Sequence, residues 1–277
     1  MYNKLSTPNI QLDAWVASLA LSPDGVYLAV QKFYEDDTKV RVYKRSGDAF
    51  SEIASLEVNF ESAISIKFSP DGNYLAFGTF DATALYIYKR SGDIFSDITA
   101  NINERPHGSV NGLCFSPDGI YLALAETVTG QFEIYKRSED TFIKTSIPTP
   151  MTLEIEYDVS FSPDGNYVAI GGLKPPYTHI YKRNGDEFIY LNTPQIAEAR
   201  VNAICFSSDG NYLYVGQEEK PYLIVCDIKS YNVYNAMQYI KLGNWESDAK
   251  LGIALENAQT DAKLKINLFP AVNTSNP

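Results

Sequence analysis

The sequence predicts an all-β protein: a five-bladed β-propeller closed by its own N-terminal strand, plus a small C-terminal β-module. Three observations predict it. Ser-Pro-Asp-Gly occurs at Ser22–Gly25, Ser69–Gly72, Ser116–Gly119 and Ser162–Gly165, and Ser207–Gly210 repeats it with Ser in place of Pro. The spacings are 47, 47, 46 and 45 residues, a period that belongs to propellers and solenoids. Between the copies, short alternating apolar runs are separated by turn residues, with no helical period.

The second copy shows the unit. Ala63–Phe68 alternates and runs into Ser-Pro-Asp-Gly, where Pro pre-sets φ and Gly accepts a positive one. Tyr74–Phe77 follows, then a loop, then Ala84–Tyr88, then the turn Lys89–Asp93, and Phe95 opens a last short run. Four short antiparallel strands in a repeat of this length make one propeller blade.

The chain ends set the blade count. Leu5–Pro8 matches Leu191–Pro194, and Trp15–Ser22 aligns with Arg200–Ser207. The fifth repeat supplies strands near 201–206, 212–215 and 222–228 and then leaves the pattern. Its missing fourth strand is assigned to Tyr2–Ser6, which closes the ring and protects an edge that would otherwise invite pairing. The division is 1–228 for the propeller and 229–277 for a β-rich anchoring or assembly module. In the latter, Lys263–Leu268 alternates apolar and polar residues, and Ala258–Asp261 suggests a hairpin turn. A piece this small is marginal alone and is expected to dock on something larger.

Phe-Ser-Pro-Asp-Gly at the end of the inner strand resembles the Trp-Asp (WD) repeat propellers. The third-strand endings depart from that pattern: Tyr43-Lys44, Tyr88-Lys89, Tyr135-Lys136 and Tyr181-Lys182, with only Cys226-Asp227 keeping the Asp. Ser-Pro-Asp-Gly-x-Tyr-Leu-Ala combined with Tyr-Lys-Arg-Ser-Gly-Asp-x-Phe resembles propellers of bacteriophage and prophage virion proteins. Leu251–Asn257, followed by a polar turn and a Lys-Ile strand, resembles small β-modules of phage head and tail proteins. This resemblance implies a non-enzymatic virion surface protein, in capsid decoration or tail attachment. Its module 229–277 would bind other virion proteins in a multimeric particle, and the protein would be made in the bacterial cytoplasm. The alternatives are an intracellular WD-repeat interaction scaffold and a carbohydrate-active five-bladed propeller enzyme.

Composition narrows the classes. A net charge of −11 argues against a phosphate-backbone partner. No apolar run suits a membrane span, and the first residues lack the apolar core of a signal peptide. Three cysteines without metal-ligand spacing suggest a reducing compartment and no metal. No cofactor is expected.

Candidate sites were weighed against structural roles. The turn aspartates Asp24, Asp71, Asp118, Asp164 and Asp209 are read as turn formers. The Tyr-Lys-Arg triplets are read as interblade packing, with Lys and Arg near those aspartates. His107 and His179 lack a nucleophile motif. Sugar hydrolysis needs two facing carboxyls, yet the inner strands offer mainly Asp158, with Glu156 at the strand edge, so no catalytic residue is assigned. Recognition is placed on the loops that differ between repeats. Their candidate residues are Tyr34, Glu35, Asp36, Asp37, Phe80, Asp81, Thr127, Lys174, Tyr177, Glu218 and Glu219. A neutral or basic partner, or a host-surface glycan stacked on an aromatic, would suit them.

Overall fold

The computed structural model describes residues 10, 15–33, 39–57, 63–80, 84–127, 132–145, 156–191, 195–228, 238–241 and 252–253. They form five antiparallel sheets and one single-turn 3-10 helix at Thr99–Asn101. The first sheet is β1 (Trp15–Leu21), β2 (Tyr27–Phe33), β3 (Val40–Ser46) and β4 (Ala49–Leu56). The second is β5 (Ala63–Phe68), β6 (Tyr74–Thr79), β7 (Leu85–Ser91) and β8 (Ile94–Asp97). The third is β9 (Val110–Phe115), β10 (Tyr121–Glu126), β11 (Phe132–Ser138) and β12 (Thr141–Lys144). The fourth is β13 (Glu156–Phe161), β14 (Tyr167–Gly172), β15 (Thr178–Asn184) and β16 (Glu187–Leu191). The fifth is β17 (Val201–Phe206), β18 (Tyr212–Gln217), β19 (Leu223–Asp227), β20 (Gln238–Lys241) and β21 (Gly252–Ile253). Each sheet is a meander whose strands pair in sequence order.

The repeated tetrapeptide works as a local staple. In the second sheet the Asp71 carboxylate accepts from the Asn73 N–H at 3.1 Å, and the Ser69 hydroxyl oxygen accepts from the Tyr74 N–H at 2.9 Å. Gly72 sits at φ 68°, a conformation open to glycine. The same bonds recur at Asp24, Asp118 and Asp164, and at Asp209 with Ser208 in the proline's place. The turn reading of these aspartates therefore holds.

The first strands β1, β5, β9, β13 and β17 lie side by side in that order. Each of the five carries a register shift near its start, between Val16 and Ser18 in β1 and between Glu156 and Asp158 in β13. Such bulges bend a strand and re-aim its side chains. The core fills the spaces between sheets: Ile66, Phe68, Leu75 and Phe77 pack toward the first sheet, and Leu85 and Ile87 toward the third. The triplet tyrosines Tyr43, Tyr88, Tyr135 and Tyr181 are all buried.

Polar clasps join successive sheets on the face of the repeated turns. Between the second and third, the Tyr74 hydroxyl donates to Asp140 at 2.6 Å, Lys89 pairs with the same carboxylate at 2.6 Å, and Arg137 reaches Asp71 at 2.9 Å. Tyr27, Lys44, Asp93, Arg90 and Asp24 repeat this between the first and second sheets, and Tyr121, Lys136, Asp186, Arg183 and Asp118 between the third and fourth. The triplet arginines Arg90, Arg137 and Arg183 lie near the repeated-turn aspartates as expected, whereas Lys44, Lys89 and Lys136 pair with Asp93, Asp140 and Asp186 of the other hairpin turns. The sequence did not show that each clasp reaches across to the neighbouring sheet.

The proposed closing strand needs correction. The edge of β19 is taken by β20, with Ile224 opposite Lys241 and Asp227 opposite Gln238. A strand edge offers one row of hydrogen-bonding groups, so Gln238–Lys241 occupies the place assigned to Tyr2–Ser6. The latter segment lies outside the described residues, as does most of 229–277.

Candidate functional site

The sheet ends opposite the clasps carry the connections that differ between repeats. Tyr34, Glu35, Asp36, Asp37 and Asp81 lie outside the described residues. Phe80 is exposed at the end of β6, and its carbonyl accepts from the Ser109 hydroxyl at 2.7 Å. Thr127 donates its N–H to the Ser109 carbonyl at 3.0 Å, so Ser109 ties the Phe80 and Thr127 loops together. Tyr177 is in the left-handed region at φ 61°, with its N–H bonded to the Lys174 carbonyl at 2.7 Å. That turn leaves Lys174 exposed and packs the Tyr177 ring against the fourth–fifth sheet core. Glu218 and Glu219 are exposed, and Glu218 donates its N–H to the Arg200 carbonyl at 2.9 Å.

Glu218 leads to the most chemically pointed group on this face. The Arg200 guanidinium carbon lies 4.1 Å from the Tyr157 ring centroid, and its Nη1 is 4.0 Å from Glu218 Oε2. Its Nε is buried without a hydrogen-bond partner. A guanidinium stacked on an aromatic face and held loosely by one carboxylate keeps planar donors for an anion or a polarised carbonyl. Tyr157 is at the bulge of β13, and Arg200 directly precedes β17, so both stand at the starts of neighbouring first strands. Sequence reasoning missed Arg200. Arg200 aligns with Trp15, Ser62, Ser109 and Ile155, a position that varies from repeat to repeat, so no local pattern singled it out.

One residue further in stands Asp158. Its Oδ1 accepts from the Val159 N–H and its Oδ2 from the Ile204 N–H, both at 2.9 Å, tying β13 to β17. Gly112 of β9 makes room, because a Cβ there would stand 2.9 Å from the Asp158 Cα. Burial pushes this carboxyl above its usual range, and the two N–H groups and the Lys67 charge bring it only partly back. Cys114 and Cys205 face the same charge, and burial raises both thiols, so neither is a ready thiolate. Lys67, Cys114, Asp158 and Cys205 thus converge from the second, third, fourth and fifth sheets. Ser18 makes the counterpart tie at the first junction, accepting from the Ile66 N–H at 3.1 Å.

His179 is buried beside Tyr190 at a ring distance of 5.8 Å, and burial lowers its pKa to about 4. Its neighbour Tyr190 belongs to the third–fourth sheet packing, and His107 is exposed in a connection. Among the described residues, no group of three or more His, Cys, Asp or Glu is arranged to hold a metal ion.

No family model and no curated protein matches this sequence. Its fold does match solved structures. It is similar to the periplasmic gluconolactonase of Pseudomonas aeruginosa, with a TM-score of 0.61 and 18% identity over 86% of this chain and 73% of that one. It is similar to a putative 6-phosphogluconolactonase from Bacteroides uniformis, with a TM-score of 0.64 and 14% identity over 82% of this chain and 72% of that one. A third likeness is to the hydrazine synthase of Kuenenia stuttgartiensis, with a TM-score of 0.58 and 18% identity over 77% of this chain. The chain spans 65% of that protein's length. These likenesses overturn the expectation of a non-enzymatic virion protein, since two of the three run to lactonases and none to a phage particle or a WD-repeat protein. What they share with this chain is an all-β, multi-sheet, propeller-like fold.

Proposed function

We propose that this protein is a propeller-type enzyme that hydrolyses a lactone or a related carbohydrate ester, with the junction between β13 and β17 as its site. We read its five sheets as five blades set about one axis. The observation that carries the reading is the placement of the pKa-raised Asp158 on β13 and of Arg200 just before the adjacent β17, in a fold shared with two proteins described as lactonases.

The reaction asks little of the site. Each Asp158 oxygen accepts one backbone N–H and keeps a second lone-pair direction. A carboxylate with a raised pKa is a stronger base than an exposed one and can take a proton from water as that water attacks the carbonyl carbon. The carbonyl oxygen gains negative charge, which Arg200 is placed to stabilise. The ring C–O bond then breaks, the ring oxygen takes the proton back, and a hydroxy acid leaves. The test is base consumption at constant pH with glucono-1,5-lactone as probe. Hydrolysis above the spontaneous rate is expected, with a loss of at least about tenfold in Asp158→Asn and in Arg200→Ala. A rate indistinguishable from buffer, or full activity in both variants, would overturn the reading.

A further inference from the structure

The first strands of neighbouring sheets run side by side in one direction. Gly112 of β9 stands level with Asp158 of β13, since a Cβ on Gly112 would meet the Asp158 Cα at 2.9 Å. Two residues further along, Cys114 stands level with Phe161, whose backbone N–H faces its sulfur. The repeats therefore set out two rungs of equivalent positions. The first rung is Ser18, Ser65, Gly112, Asp158 and Ala203, each just past the register shift of its strand. The second, two residues on, is Ala20, Lys67, Cys114, Ser160 and Cys205. Two residues advance a strand by about 6–7 Å.

Charge enters these two rungs twice, as Asp158 on the first and Lys67 on the second, while every other position holds Gly, Ala, Ser or Cys. Lys67 is exposed, whereas its chain neighbours Ile66 and Phe68 are buried toward the first sheet, so its stem points away from that core. Its charge acts on both Cys114 and Asp158, which puts the ammonium on the side those two groups share. Among the described residues it pairs with no carboxylate, Asp158 included. Solvent reaches Ser65, Cys114 and Asp158 as well as Lys67. An acidic and a basic side chain thus share one accessible stretch of small residues, one rung apart and unpaired.

We infer that Lys67 is a specificity-determining residue of this site and binds a carboxylate on the substrate, which makes the substrate class a lactone that bears an acid group. The inference rests on the lactonase reading of the same site. With the scissile carbonyl held at Asp158 and Arg200, the far end of a six-carbon lactone extends by about one rung spacing, which is where Lys67 stands. An acid group brought this close to Asp158 meets like charge, and the Lys67 ammonium offsets that repulsion. The choice of a carboxylate over a phosphate follows from the donor set. One ammonium is a point charge that matches one negative charge. A phosphate dianion calls for several charge-assisted donors, and the two rungs hold no second cation.

Glucaro-1,4-lactone and glucono-1,4-lactone test it, because they differ only in carrying a carboxylate or a hydroxymethyl group at the far carbon. The wild type is expected to favour the first by at least about tenfold in kcat/KM, the difference lying in KM. Lys67→Gln is expected to bring the two values together, and Lys67→Arg, which keeps the charge, to preserve the preference. The ratio isolates the subsite, because any effect of Lys67 on Asp158 falls on both lactones alike. Equal wild-type values, or a ratio unchanged in Lys67→Gln, overturn the inference and leave the lactonase reading standing. So does faster hydrolysis of 6-phosphoglucono-1,5-lactone than of the glucaro lactone, which would mark a phosphate site. Calorimetric binding of glucarate and gluconate gives a readout without turnover. Glucarate is expected to bind the wild type more tightly than gluconate does and to weaken at least about tenfold in Lys67→Gln. If neither lactone reacts, Lys67-dependent glucarate binding still supports the subsite while the lactonase reading falls, and glucarate binding that is absent or indifferent to Lys67 overturns it.

Discussion

Arg137 of the third sheet lies over the ring of Tyr74 in the second, its guanidinium carbon 4.7 Å from the ring centroid, while its Nη1 pairs with Asp71. One side chain therefore covers the aromatic of the neighbouring sheet and neutralises that sheet's turn. Arg90 over Tyr27 and Arg183 over Tyr121 repeat the relationship at 4.6 Å and 4.4 Å.

Arg137→Ala is expected to cost about 1–3 kcal/mol, because it removes a half-desolvated cation–π contact together with a charge-assisted hydrogen bond. In a domain of this size that corresponds to a fall in Tm of several degrees, roughly 2–4 °C per kcal/mol. Arg45→Ala is expected to lie within about 0.5 kcal/mol of wild type, as surface changes usually do. Equal losses at the two arginines in thermal melts would refute the clasp as a source of stability.

The clasps also set an alkaline limit. Burial, with the Asp140 bond second, raises Tyr74 to about 12, and burial with Asp186 does the same for Tyr121. A folded pKa above the unfolded value of 10.0 means stability fully present below pH 10, lost as pH rises from 10 toward 12. Tyr74→Phe combined with Tyr121→Phe should be less stable at pH 8 and should flatten that alkaline decline.

His179 governs the acid side above the carboxylate range. Burial holds its pKa at about 4 against 6.5 in the unfolded chain. Stability is present above pH 6.5 and is lost as pH falls through 6.5 toward 4, by about 3 kcal/mol at the lower end. His179→Leu should remove this decline in urea titrations at pH 7, 5.5 and 4. An unchanged slope would show that the imidazole is protonated in the folded state.

Gly78 and Gly216 hold equivalent places in β6 and β18 but have opposite surroundings. A Cβ on Gly78 would stand 2.5 Å from the Val110 carbonyl oxygen, which is backbone and cannot step aside. Gly78→Ala should cost about 1–3 kcal/mol, the usual range for overpacking. Gly216→Ala meets nothing closer than 3.6 Å and should be tolerated.

The repeated segments declared themselves in sequence. Ser69–Tyr74 carries its own turn, since the bonds of the Ser69 hydroxyl and of Asp71 to Ser69 and Asn73 join residues at most five apart. Alternation from Ala63 to Phe68 then fixes which face is apolar, and the hairpin turns fix strand order. Five antiparallel sheets, and the grouping of conserved-looking turns on one face, followed from these local rules. The loop list fared unevenly: Glu218 reached the candidate site, whereas Phe80 and Thr127 are tied to Ser109 and the Tyr177 ring serves the core.

The sequence by itself determined the repeat, the turns and the sheets, because those depend on neighbours along the chain. Only the tertiary structure decided what joins one sheet to the next. Tyr74 meets Asp140 across 66 residues, Asp158 meets Ile204 across 46, and Arg200 lands on Tyr157. Those meetings depend on the angle between sheets, which is set by how all the buried side chains between them fit together. The same holds for the edge of β19, which Gln238–Lys241 took although no repeat marks that segment. Backbone pairing at an open edge selects on reach and register, and a local pattern records neither.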